Sequence, residues 1–95
     1  MLNYVQRLKK DGIYTLTLND AVSNRIIRLL KEKNMTQYRL ELKAGLTHGA
    51  MNGILSGHNK TVTFTTIYRL ARGFDMTIYE FLDDDVFRSE NLEID

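Results

Sequence analysis

Thr36-Gln-Tyr-Arg-Leu-Glu-Leu-Lys-Ala-Gly-Leu-Thr-His-Gly-Ala-Met-Asn-Gly-Ile-Leu-Ser-Gly57 is the stretch whose reading decides the fold. Thr36 and Thr47 each stand where a helix N-cap is wanted, with a side-chain oxygen able to accept one of the unpaired N–H groups of a first turn. Behind Thr36, Leu40 and Ala44 fall one turn apart and point inward. Behind Thr47, Met51 and Ile54 do the same, with Ala50 and Leu55 partly inward. Gly45 follows the last helical residue of the first segment, where a left-handed conformation is needed and glycine adopts it without penalty. Gly57 closes the second segment. The spacing predicts two short helices, 37–43 and 48–56, joined by a tight glycine turn.

Outward from this pair the pattern stays helical. A helix is expected over residues 20–33, capped by Asn19 or Asp20, with Val22, Ile26, Leu29 and Leu30 facing inward and Asn34 ending it. Downstream, residues 58–62 form a polar connection. Thr63 caps a helix over 64–72 that buries Ile67, Leu70 and Ala71. Thr77-Ile-Tyr-Glu80 matches a capping box for a short fifth helix ending near Leu82. Upstream, Ile13-Tyr-Thr-Leu-Thr-Leu18 alternates and is rich in β-branched and aromatic residues, so it reads as a short strand. Such a strand must pair with a partner chain or pack on the helices. Gly12, after Lys9-Lys10-Asp11, is a turn candidate, and residues 4–8 could instead form a frayed helical arm. The organisation expected is an arm at 1–19 carrying the short strand, a helical domain at 20–82 and an acidic tail at 83–95. The fold class is all-α, a compact five-helix bundle, and the absence of proline agrees with it.

Ninety-five residues suit one domain, and 43% hydrophobic residues suffice for a modest core. No cysteine is present, which excludes a disulfide framework and removes the usual zinc-finger ligands. Residues 1–10 lack the apolar region of a signal peptide, and no run approaches the roughly 18 apolar residues of a membrane span. A cytoplasmic protein is the expectation. Net charge is +1, but it is unevenly spread: residues 1–73 hold 12 Lys and Arg against 4 acids, and residues 74–95 hold one Arg against 8 acids. A basic body suited to phosphates and an acidic end held away from them follow from that asymmetry.

Two short capped helices around a glycine turn are what a helix-turn-helix requires, with the first helix crossing the DNA backbone and the second lying in the major groove. Several motifs carry a more specific resemblance: Met35-Thr-Gln-Tyr-Arg-Leu40, Ala44-Gly-Leu-Thr47, Ile54-Leu-Ser-Gly57 and Thr66-Ile-Tyr-Arg-Leu-Ala71. Over residues 21–82 the chain resembles the Cro and phage-repressor (XRE) class of lambda-repressor-like DNA-binding domains. The resemblance implies binding of double-stranded DNA through the third helix, and homodimerisation. It gives Gln37 a phosphate contact at the N-terminus of the second helix. It makes His48, Gly49, Asn52, Gly53 and Ser56 the stripe that faces the bases, with Thr47 at its head. Asn52 would pair bidentately with adenine, and His48 would donate to a guanine or a phosphate. Asn59 and Lys60, with Thr61, would lie along the backbone.

The chain departs from the family pattern twice. Glu41 stands where a small residue, usually Ala, packs between the helices. Gly49 and Gly53 occupy the reading stripe where the family offers polar side chains, each at a helix cost of about 1 kcal/mol relative to Ala. With no Lys or Arg on the stripe, A·T-leaning recognition is expected.

Other chemistries find little support. The recurrence of glycine at 45, 49, 53 and 57 mimics a membrane-helix association face, but its neighbours are Thr, His, Asn and Ser. His48 and His58 lack nearby partners for a metal, and Asp83, Asp84 and Asp85 lack the spacing of a calcium loop, so they read as a solvated tail. No nucleophile elbow or phosphate-cradling glycine loop is present, so neither catalysis nor a cofactor is expected. A transcriptional regulator, with repression the expected mode, is the leading reading. The alternative is a protein-binding module such as an antitoxin or adaptor, for which Phe74, Tyr79, Phe81, Val86 and Phe87 are the apolar surface candidates. Phe81, Val86 and Phe87 are also the expected dimer contact, with the strand at 13–18 as the alternative.

Overall fold

The computed structural model describes residues 7–8, 14–88 and 92–93. Five helices form the body: α1 Leu18–Glu32, α2 Gln37–Ala44, α3 His48–Leu55, α4 Phe64–Gly73 and α5 Ile78–Leu82. Each is N-capped by a threonine, Thr17, Thr36, Thr47, Thr63 and Thr77 in turn, whose hydroxyl accepts from the N–H three residues on. Four of these caps are the ones the sequence indicates. The first differs, because α1 starts at Leu18 and its cap is Thr17, not Asn19 or Asp20. Asp20 instead completes a capping box: its N–H donates to Thr17 Oγ1 at 3.0 Å and its carboxylate accepts from the Thr17 N–H at 3.2 Å. Asn34 ends α1 in the left-handed region, φ 51°.

The expected strand is Tyr14–Thr17 (β2), and it finds its partners within the chain. Arg7–Leu8 (β1) pairs with it antiparallel and Leu92–Glu93 (β3) pairs parallel on its other side. β1 thus pairs with the first half of β2 and β3 with the second, so the strand finds partners within the chain. The Gly12 turn and most of the alternative helical arm, Tyr4 included, lie outside the described residues. Arg7–Leu8 of that arm is extended.

The main core joins Val22, Ile26 and Leu29 of α1 to Leu40, Met51, Ile54, Ile67 and Leu70. Phe74 and Phe81 complete it, both fully buried, with ring centroids 6.4 Å apart. A smaller cluster of Leu16, Ala21 and Val86 sits under the sheet. α2 and α4 cross closely at Gly73, where a Cβ would come within 2.8 Å of Leu40 Cδ1 and 3.0 Å of Ala44 Cβ.

The C-terminal segment corrects the sequence reading. Asp83 and Asp85 are exposed, but Asp84 is not solvated: its side chain is 10% exposed and pairs with Arg25 and Arg28 of α1. Burial is the largest single influence on its carboxyl and opposes ionisation. The Arg28 guanidinium, the Val86 N–H and the Arg25 charge outweigh it and hold the group below the usual carboxylate range. A 3₁₀ turn, Asp85–Phe87, then inserts Val86 under the sheet. Of the surface apolar candidates, Phe74, Phe81 and Val86 are buried, Phe87 is half-buried and packs on Phe81, and Tyr79 alone is exposed. The dimer contact expected from Phe81 and Val86 is therefore not available on the surface. Phe74 and Phe81 are covered by the main core and Val86 by Leu16 and Ala21, partners that lie far along the chain.

Candidate nucleic-acid interface

α3 is held from three sides. Its own first turn is closed by Thr47, whose hydroxyl accepts from the Ala50 N–H at 3.0 Å and can still donate outward. The turn before it depends on Gly45, φ 69°, whose N–H returns to the Glu41 carbonyl. At its far end, buried Asn19 of α1 donates through Nδ2 to the Ile54 carbonyl at 2.7 Å, and the Asn19 N–H donates to the Lys60 carbonyl at 3.1 Å. Met51 and Ile54 anchor the inner face. A rigid helix with its ends tied presents a fixed outer face.

That outer face carries His48, Gly49, Asn52 and Ser56, all exposed, with Gly53 half-buried between them. Ala50, which the sequence places partly inward, is exposed as well. Among the described residues, a Cβ at Gly49 would meet only Thr47 Oγ1, at 4.0 Å. At Gly53 a Cβ would meet the flexible Asn59 amide at 3.3 Å. An open depression of about 540 Å³ runs along the helix between Gln37, Asn52, Gly53, Leu55, Ser56 and His58.

The polar side chains of this face form two chains of hydrogen bonds. In one, Gln37 Nε2 donates to Glu41 Oε2 at 2.9 Å, His48 Nδ1 lies 3.0 Å from the same oxygen, and Asn52 Nδ2 lies 3.3 Å from His48 Nε2. In the other, Ser56 Oγ lies 2.7 Å from His58 Nδ1. Glu41 is the residue standing in the family's small-residue position. It is only 6% exposed, yet its carboxyl is held below the usual range, first by the Gln37 amide and then by His48, against the effect of enclosure. The expected site residues on α3 thus come together on one surface, with Gln37 half-buried beside them. Asn59 and Lys60 are exposed in the following connection. Sequence reasoning missed the parts played by Glu41 and His58. Glu41 was legible as an odd residue type at a packing position, whereas nothing local marked His58.

Among the described residues no helix is long and apolar enough to cross a membrane, and no cluster of potential metal ligands is found. No curated protein matches the sequence significantly. Among solved structures, prophage Lp1 protein 11 superposes with a TM-score of 0.70 at 25% identity, over 79% of this chain and 99% of that one. The restriction-modification controller protein C.Esp1396I gives 0.64 at 24%, over 75% of this chain and 90% of that one. SinR, a master regulator for biofilm formation solved in complex with DNA, gives 0.56 at 21%, over 65% of this chain and 98% of that one. At those identities the latter two show a shared fold alone. A family model for the Cro/C1-type HTH DNA-binding domain matches residues 25–85, from the middle of α1 to the 3₁₀ turn and across the whole capped helix pair. The chain belongs to the Cro/C1-type helix-turn-helix DNA-binding family.

Proposed function

We propose that this chain is a sequence-specific transcriptional regulator, acting as a repressor in the cytoplasm, that reads the major groove of double-stranded DNA with α3. The observation that carries the reading is the exposed stripe of His48, Gly49, Asn52 and Ser56 on a helix tied at both ends. Asn52 and His48 are its longer polar side chains and serve as the direct readers. The open backbone at Gly49 lets a groove wall approach closely. Gln37, Thr47, Asn59 and Lys60 position the domain on phosphates. One α3 spans only a few base pairs, so a two-fold dimer on half-sites about 34 Å apart is part of the proposal. The chain does no chemistry and needs no cofactor. The test is a mobility shift on random-sequence duplex at two salt concentrations. The logarithm of affinity should fall linearly with the logarithm of salt, by roughly 0.9 per phosphate neutralised.

A second reading, capture of a protein partner, draws on a different face. Leu42 and Tyr68 are exposed beside a groove of about 490 Å³ between α2 and α4, lined also by Lys43, Arg69 and Arg72. Absence of any salt-sensitive shift with DNA would favour it.

A further inference from the structure

We infer that Glu41 is the positioning residue that decides which base pattern Asn52 presents, acting through the tautomer of His48. The inference rests on the proposed reading of DNA by α3 and adds to it a specificity determinant outside the reading stripe.

What each group can donate or accept fixes where the protons lie. An ionised carboxylate accepts only, so a hydrogen bond between Glu41 Oε2 and His48 Nδ1, at 3.0 Å, puts the proton on Nδ1. In neutral imidazole the other nitrogen is then a bare acceptor. His48 Nε2 lies 3.3 Å from Asn52 Nδ2, and an amide nitrogen can only donate, so complementarity holds along the whole chain from Glu41 to Asn52. Gln37 supports it from behind, donating to the same Glu41 oxygen at 2.9 Å.

The consequence lies at the amide. Asn52 gives one N–H to His48, which fixes the order in which its carbonyl oxygen and its second N–H reach the groove. That is the pair adenine requires in the major groove, an acceptor for N6–H₂ and a donor for N7. Without an acceptor at position 41, nothing holds the proton on Nδ1. With the proton on Nε2, two donors face each other and the amide turns over. The same two groups then reach the groove in reversed order, which mismatches adenine. In a chain whose α3 carries no Lys or Arg, this one amide bears much of the direct readout.

Two measurements test it. The first needs no DNA: ¹⁵N-detected long-range NMR of the histidine rings at neutral pH. His48 should be the Nδ1–H tautomer in the wild type and in Glu41→Gln, whose carbonyl still accepts, and should shift towards Nε2–H in Glu41→Ala. A wild-type His48 that is Nε2-protonated or doubly protonated overturns the inference, even if the variants fail to fold. The second is selection of bound sequences from a randomised duplex library. Wild type and Glu41→Gln should enrich adenine at a position where Asn52→Ala does not, and Glu41→Ala should lower that enrichment at least about fivefold relative to the other selected positions. If Glu41→Ala keeps the adenine preference that Asn52→Ala loses, the inference fails while the reading of DNA by α3 stands. If Asn52→Ala changes nothing, both fail.

Discussion

α1 and the outer face of α3 both carry polar side chains and use them in opposite ways. In α1, Asn19, Asp20, Ser23, Asn24 and Arg25 are all buried. Asn19 ties down the end of α3, Asp20 closes a capping box, and Arg25 donates to the carbonyls of Phe81 and Glu80 at 2.8 and 2.9 Å and to Asp84 at 3.1 Å. His48 and Asn52 of α3 and Ser56 at its C-cap are exposed and, among the described residues, bond to other side chains or to their own helix. Buried polar groups must be satisfied by the fold, at a cost in stability if a partner is lost. Exposed ones leave the fold indifferent and their hydrogen-bonding capacity available to a ligand. The same residue types thus read as architecture in one helix and as an interface in the other.

Arg25 is the sharpest way to break this contrast. Arg25→Ala removes a donor from the Phe81 and Glu80 carbonyls and one of the two arginine partners of Asp84, and should cost about 1.5–3 kcal/mol in urea unfolding. A loss below about 1 kcal/mol would mean that the buried polar chain of α1 is decoration. The pair also has a pH signature. The Asp84 carboxyl sits below its ordinary value in the folded state. Its contribution is therefore fully present above the usual carboxylate range and is lost as pH falls through the lowered folded value. The stability gap between wild type and Asp84→Asn should close as pH drops below about 4, and a gap that is flat with pH would contradict the pairing.

Gly73→Ala probes the crossing that holds α2, and through it the turn into α3, in place. The new methyl group meets Leu40 and the Ala44 Cβ and backbone, so overpacking of about 1–3 kcal/mol is expected. An unchanged melting temperature would show that the crossing can relax.

The exposed face should respond the other way round. Asn52→Ala should leave unfolding within about 0.5 kcal/mol of wild type. It should weaken binding by about 1–3 kcal/mol at one base pair while nonspecific binding persists. Equal losses on every sequence would count against direct reading. The smallest effect is the most diagnostic. Gly49→Ala enters open space and should stabilise the helix by up to about 1 kcal/mol. Weaker DNA binding by this more stable variant would show that the α3 backbone lies against the groove.

How far the sequence reveals this protein depends on how far apart the interacting residues lie. The caps at Thr36, Thr47, Thr63 and Thr77 and the glycine at 45 act over three or four residues, so residue type and spacing suffice to place them. Thr17 acts over the same span, with Asp20 as its capping-box partner, but the alternating strand pattern around it masked the signal. The outer stripe of α3 was legible for a related reason. Helical periodicity orders the faces once Met51 and Ile54 are placed inward.

Local chemistry in the sequence therefore determined the five helices, their order and the glycine turn that sets α3 against α2, because caps, periodicity and left-handed turns are satisfied within a few residues. Only the tertiary structure decided that Phe74, Phe81 and Val86 are core, that Asp84 is a buried ion-pair partner and that β2 is paired on both sides. It alone brought Glu41 to His48, seven residues away on another helix. In each case the deciding quantity is desolvation by, or hydrogen bonding to, a residue on another element, and composition at one position carries no record of what will be folded against it.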